Sequence, residues 1–162
     1  RVVLLFSFPS LSDDIYRFLW DGHLINKGIN PLSYLPSDLI NGPFTDEYLR
    51  TLYPLLNSPE YYTIYPPFSQ VIYYLATLSD GFSIAFSSGI IRSIILLFEL
   101  GSLWLIFKLL KKFDFKINRI LIYALNPLII VELVCNLHFE GIMIFWFLFA
   151  LYFLMKRKIM WC

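Results

Sequence analysis

The pattern that most limits what this chain can fold into is a series of long apolar runs separated by short basic clusters. From 82 to 110 the sequence is almost wholly apolar, and Lys108, Lys111 and Lys112 mark its end. Residues 117–137 and 139–155 form two further runs, the last followed by Lys156-Arg157-Lys158. A bilayer core is crossed by roughly 20 apolar helical residues, so 82–155 is predicted to form three transmembrane helices. The 58% share of hydrophobic residues exceeds what soluble domains carry and is concentrated in these runs, which points to a membrane protein. The net charge of +1 gives no pull toward nucleic acid. Cys135 and Cys162 lie far apart with no partner at metal-ligand spacing, so neither a zinc site nor a disulfide is expected.

Residues 1–9 are apolar but too short to span a bilayer, and no small-residue cleavage site follows them. They read as the end of a truncated first transmembrane helix, so the chain is expected to be a fragment. Residues 10–67 hold most of the acidic residues and prolines. Ser12-Asp13-Asp14 is a helix start, because Ser and Asp side chains accept bonds from free first-turn amides. Gly28 and Asn30-Pro31 stop that helix. The remaining prolines break the segment into short amphipathic helices of a structured loop, and its Tyr and Leu residues suit a membrane face. Residues 68–80 are apolar for only about three turns, so they are expected to be interfacial or re-entrant, with Ser79-Asp80-Gly81 ending them.

Basic residues concentrate on the cytoplasmic side of membrane proteins. The cluster Lys108, Lys111, Lys112, Lys116 and Arg119, and the tail 156–162, are therefore expected to be cytoplasmic. The 10–67 loop and the 136–140 turn then fall on the opposite, outer face, with Asp13, Asp14, His138 and Glu140 together there.

Four groups of residues could carry chemistry. Asp14, Arg17 and Asp21 are spaced to share one helix face, and Asp13 also reaches toward Arg17. They make either a cap with a surface ion pair or a carboxylate base beside a phosphate-binding Arg. Two neighbouring acids are a weak signal for a divalent metal, so none is assigned. Tyr65-Pro66-Pro67 with Gln70 rigidifies a helix start whose free amides suit an anion. Arg92 and Glu99 lie two turns apart in one span, where charges face a bundle interior or a wet cavity. Arg92 there meets either a phosphate or a neighbouring helix. Asn126-Pro127 should kink the second span. Glu132 lies at membrane depth, and His138 and Glu140 at the outer mouth suit proton handling or sugar hydroxyls.

The blocks SDDIYRFLWDGHLINKGINPLSYLP, TIYPPFSQ and NPLIIVELVCNLHFEG, in this order, resemble the GT-C superfamily of polytopic membrane glycosyltransferases, in particular the bacterial polyprenyl-phosphate-mannose-dependent mannosyltransferases. The resemblance covers roughly residues 10–155. It implies an all-α, polytopic transmembrane bundle of GT-C type in a bacterial inner membrane, with the outer loop carrying the active site on the non-cytoplasmic side. It also implies a polyprenyl-phosphate sugar donor (a mannose donor) and membrane lipids as partners. Asp13 or Asp14 would be the base of an inverting transfer. Arg17 and Arg92 would face the donor phosphate, and His138 and Glu140 would border sugar or acceptor. The rival readings are a transporter or flippase of a lipid-linked substrate, using Arg92, Glu99 and Glu132 as a charge relay, and a non-catalytic membrane subunit.

Overall fold

A computed structural model describes residues 12–78 and 83–156. The expectations for residues 1–9, for Ser79-Asp80-Gly81 and for most of the basic tail lie outside the described residues. Those described form eight α-helices and no strand: α1 (Asp14–Asn26), α2 (Pro36–Leu39), α3 (Glu47–Leu52), α4 (Pro67–Ala76), α5 (Ile84–Lys112), α6 (Ile120–Ala124), α7 (Pro127–Ile129) and α8 (Glu140–Lys156). The all-α class agrees with the sequence. The described residues divide into two compact units, one within Phe8–Ile91 and one within Arg92–Cys162.

In the first unit α1 packs along α4. α1 begins where the Ser12-Asp13-Asp14 signal puts it, although the cap differs in detail. Ser12 Oγ accepts from the Asp14 amide at 3.3 Å, while the Asp13 side chain makes no capping bond. The helix closes on Gly28 at φ +74°, with Gly28 N–H donating to the Ile25 carbonyl and Ile29 N–H to the Leu24 carbonyl, both at 2.9 Å. That paired closure places glycine in the left-handed region, where it avoids the Cβ penalty.

The crossing with α4 is tight because of Gly22, whose added Cβ would lie 2.3 Å from the Tyr73 carbonyl oxygen. Asn26 Nδ2 ties the two helices together by donating to the Thr77 carbonyl (2.6 Å) and to Thr77 Oγ1 (2.9 Å). Phe18 stacks on Tyr73 at 4.5 Å between ring centroids, and Tyr65 meets Phe18 edge-on at 4.9 Å. α3 seals the other flank with Leu49 and Leu52, both fully buried. Asp46 caps α3 by accepting from the Leu49 amide at 2.9 Å. Its carboxylate also meets Lys27 Nζ at 2.5 Å and His23 Nε2 at 2.7 Å. Burial opposes ionisation of Asp46, but the Leu49 amide, Lys27 and His23 outweigh it and hold its carboxyl well below the usual range.

α5 is the one described helix long and apolar enough to cross a bilayer. Its 29 residues extend about 43 Å. Only 39% of its apolar window is buried, with Leu97 and Trp104 exposed, unlike the core helix of a soluble domain. The second predicted span is broken. Ile117–Ala124 and Pro127–Val134 meet at a 54° bend. Pro127 cannot donate to the helix ladder, and Asn126 Oδ1 restarts the helix by accepting from the Leu128 amide at 3.0 Å. The third, α8, has 17 residues and falls just short of the usual spanning length.

In the second unit the helices run alternately up and down. Glu99 of α5 accepts from Tyr123 Oη at 3.0 Å and Arg92 Nε donates to the Val134 carbonyl at 2.9 Å, a descending order that makes the α6–α7 segment antiparallel to α5. α8 is parallel to α5. Gly101 faces the Phe145 ring, Trp104 meets Tyr152, and Lys112 Nζ donates to the Met155 carbonyl. The basic end of α5 and the C-terminal end of α8 therefore lie together.

Candidate active site

The site in the first unit is built on the exposed edge of α1. Buried Ile15, Phe18 and Leu19 turn one face of α1 inward, and this brings Asp14 to the rim of a cavity of about 430 Å³. The cavity is lined by Asp14 and Arg17 from α1 and by residues of the strap 57–65. Asn57 Nδ2 donates to Asp14 Oδ1 at 2.9 Å, which fixes the carboxylate's direction. Asp13 is exposed and is not among the lining residues.

Arg17 is almost fully buried, at 3% exposure. Its Nε donates to Asp21 Oδ1 at 2.9 Å, and its Nη1 donates to the carbonyls of Ser58 (3.1 Å) and Tyr61 (3.0 Å). Asp13 is not among these partners. Asp21 is wholly buried, and its Oδ2 accepts from Gln70 Nε2 at 2.9 Å. Gln70 Nε2 also donates to Thr63 Oγ1 at 3.2 Å. Gln70 Oε1 is buried without a hydrogen-bond partner among the described residues. Tyr65 lines the cavity and packs against Phe18 and Tyr73. Burial first, then the neighbouring Tyr65 and Asp21, push the Tyr73 hydroxyl far above its ordinary pKa.

The remaining candidates belong to the second unit. The turn after α7 continues as a π-helix, Ile130–Cys135, and ends on Leu137 in the left-handed region at φ +62°. A wide turn of this type re-aims side chains and recurs at functional sites. Here it gathers Glu132, Asn136, His138 and Glu140. Glu132 Oε2 accepts from Asn136 Nδ2 at 3.3 Å and lies 3.8 Å from His138 Nε2, while Glu140 Oε2 lies 3.7 Å from His138 Nδ1. Arg92 and Glu99 are buried inside this unit, at 1% and 0% exposure, and contact the Val134 carbonyl and the Tyr123 hydroxyl as described. Among the described residues no group of three or more His, Cys, Asp or Glu side chains could hold a metal ion.

Sequence reasoning passed over Asn57, Tyr61, Tyr62 and Thr63. The available signal was Asn57-Ser58-Pro59, a turn-forming triplet leading straight into an aromatic run.

Among the described residues the fold is all-helical with one helix of membrane-spanning length, and the first unit carries a cavity lined by the Asp14 carboxylate and the buried Arg17 guanidinium, the features of a helical domain of the membrane class. The chain belongs to the family whose model is described as Alpha-(1->6)-mannopyranosyltransferase, N-terminal domain, which matches residues 2–162. It is thus a mannosyltransferase-family domain, and so a glycosyltransferase domain. No curated protein and no solved structure matches it.

Proposed function

We propose that this chain supplies the base-bearing half of an inverting mannosyl transfer from a polyprenyl-phosphate donor, on the non-cytoplasmic side of the membrane, with Asp14 as general base. The observation that carries this reading is Asp14 at the rim of the cavity, held by Asn57 and close along the helix to the Arg17 guanidinium. A phosphate leaving group already carries negative charge. It departs without an acid but needs positive charge as the glycosidic bond breaks. The acceptor hydroxyl needs a base on the opposite side of the sugar, and one carboxylate meets that need.

Arg17 supports the donor-binding role. Three of its N–H groups are anchored, and its Nη2 makes no hydrogen bond among the described residues, which leaves it for an anion in the cavity. Exposed Tyr61 and Tyr62 offer faces on which a sugar ring can lie. Within the second unit, partly exposed His138 and exposed Glu140 present imidazole and carboxylate groups of a type that suits sugar hydroxyls. Buried Arg92 and Glu99 hold their own unit together in this reading, whereas Glu132, expected at membrane depth, has its side chain 39% exposed because the turn at 130–135 turns it toward His138. The contact of Lys112 with Met155 supports a cytoplasmic assignment of that end of the second unit, because the lysine-rich end of α5 and the last described turn of α8 lie together there.

The test is a comparison of donors. Membranes carrying the protein are supplied with labelled mannose as polyprenyl phosphate or as a sugar nucleotide, with lipid-linked donor synthesis blocked. The expected result is transfer from the polyprenyl phosphate alone. Transfer from the nucleotide under that block would overturn the donor assignment.

A further inference from the structure

We infer that Asp21 is a positioning residue, which holds the 57–65 strap against α1 through Arg17 and Gln70 and so sets the shape of the Asp14 cavity. This deepens the reading above and rests on it for the reaction concerned.

The wholly buried Asp21 carboxylate is divided between two donors. Oδ1 takes Arg17 Nε and Oδ2 takes Gln70 Nε2, each at 2.9 Å. Each donor group then reaches the strap. Arg17 Nη1 binds the carbonyls of Ser58 and Tyr61, and Gln70 Nε2 binds Thr63 Oγ1. The three attachments fall at 58, 61 and 63, between Asn57, which aims Asp14, and Tyr65, which lines the cavity. Two of the three are to backbone carbonyls, so it is the path of the strap that is fixed. The guanidinium suits this task because its N–H groups point in fixed, coplanar directions. A carboxylate is needed at 21 because the cation is buried, and a buried cation without its counter-charge is strongly destabilised. The carboxylate also fixes the Gln70 amide, since Nε2 must face it.

These bonds give a reversible test. In Asp21→Asn, one orientation of the new amide keeps the bond to Arg17 and then sets its NH2 against Gln70 Nε2, donor against donor. In Gln70→Glu two carboxylates face each other. The double variant reverses the polarity of the bond, so that the amide introduced at 21 donates to the carboxylate introduced at 70, and it restores a negative charge to the cluster.

Strap attachment is read in the detergent-solubilised protein as the rate of chymotryptic cleavage after Tyr61 and Tyr62, mapped by mass spectrometry. Transfer is read as kcat and donor KM well below the unfolding temperature of each variant. Both single variants should be cleaved at least ~10-fold faster, from loss of local opening free energy, with kcat lowered as Asp14 loses its aim. The double variant should lie closer to wild type in both readouts than either single change. Wild-type cleavage in Asp21→Asn, faster cleavage with unchanged kcat, or a double variant no better than the singles would each overturn the inference. If Asp21→Asn does not fold, Arg17→Lys keeps the charge but loses the fork. It must then loosen the strap, and an unchanged cleavage rate would overturn the inference. Asp14→Asn separates this inference from the function on which it rests. It should be cleaved at the wild-type rate yet transfer mannose with kcat lowered by roughly 10²–10⁴-fold, and full transfer would sink the base assignment while leaving the cleavage results standing.

Discussion

Replacing Gly22 by alanine adds one methyl group at the point where α1 crosses α4. The new Cβ would stand 2.3 Å from the Tyr73 carbonyl oxygen and 2.6 Å from Thr77 Oγ1. The nearest obstacle is backbone, so no side-chain rotation relieves it and the helices must separate. Overpacking of this type costs about 1–3 kcal/mol. Separation also stretches both Asn26–Thr77 hydrogen bonds and the Phe18–Tyr73 stack, and each lost hydrogen bond costs about 1 kcal/mol. Alanine returns about 1 kcal/mol through its better helix propensity. The balance is a destabilisation of about 2–4 kcal/mol, roughly 30- to 900-fold in a folding equilibrium. Thermal unfolding followed by tryptophan fluorescence should report it, because Trp20 is wholly buried in α1. Gly89→Ala is the control, since nothing lies within 4 Å of an added Cβ there. An unchanged unfolding midpoint for Gly22→Ala would refute the close crossing.

Three further outcomes follow from the same contacts. Asp46→Asn keeps a capping oxygen but loses the charge facing Lys27 and His23, which at this half-exposed site is worth about 0.5 kcal/mol after screening. The folded-state pKa of Asp46 is lowered, so the wild-type advantage should be present above about pH 4, the unfolded carboxyl's range, and disappear on acidification below it; urea titrations at several pH values check this. Gly101→Leu should part α5 from α8, because even a Cβ would lie 2.6 Å from the Phe145 ring, and cysteine cross-linking between the two helices should then fall. Arg92→Met should weaken folding of the second unit by leaving the Val134 carbonyl without the guanidinium, with transfer lost in proportion to the folded fraction. Loss of transfer in fully folded Arg92→Met would instead point to a donor contact.

Local signals made part of this molecule legible. The Ser12-Asp13-Asp14 start and the Gly28 stop bracket α1 to within a residue or two, because caps act over one turn. Pro66-Pro67 marks the start of α4, and Asn126-Pro127 marks the break in the second apolar run. The helical spacing of Arg17 and Asp21 correctly gives their ion pair. What that spacing cannot give is the third dimension. Asn57 meets Asp14 from 43 positions away, and the Ser58 and Tyr61 carbonyls meet Arg17 from 41 and 44. No periodicity encodes a backbone acceptor on an irregular strap. The burial of Arg17 and Asp21 was equally invisible, since charged residues at helical spacing read first as a solvated face. Gly22 offered a hint, because glycine inside a helix usually answers to close packing. The π-turn at 130–135 had no sequence signal beyond Pro127 just before it.

The central claim is that one carboxylate, Asp14, takes the acceptor proton, and the most direct measurement compares mannose transfer by Asp14→Asn and Asp13→Asn in the same membranes. Asn is isosteric with Asp and can keep the contact with Asn57, so the first change removes basicity with little else. Asp14→Asn is expected to lower kcat by roughly 10²–10⁴-fold, the usual weight of a general base, while Asp13→Asn, at an exposed position outside the cavity lining, stays near wild type. Full activity in Asp14→Asn, or a collapse of transfer in Asp13→Asn alone, would contradict it.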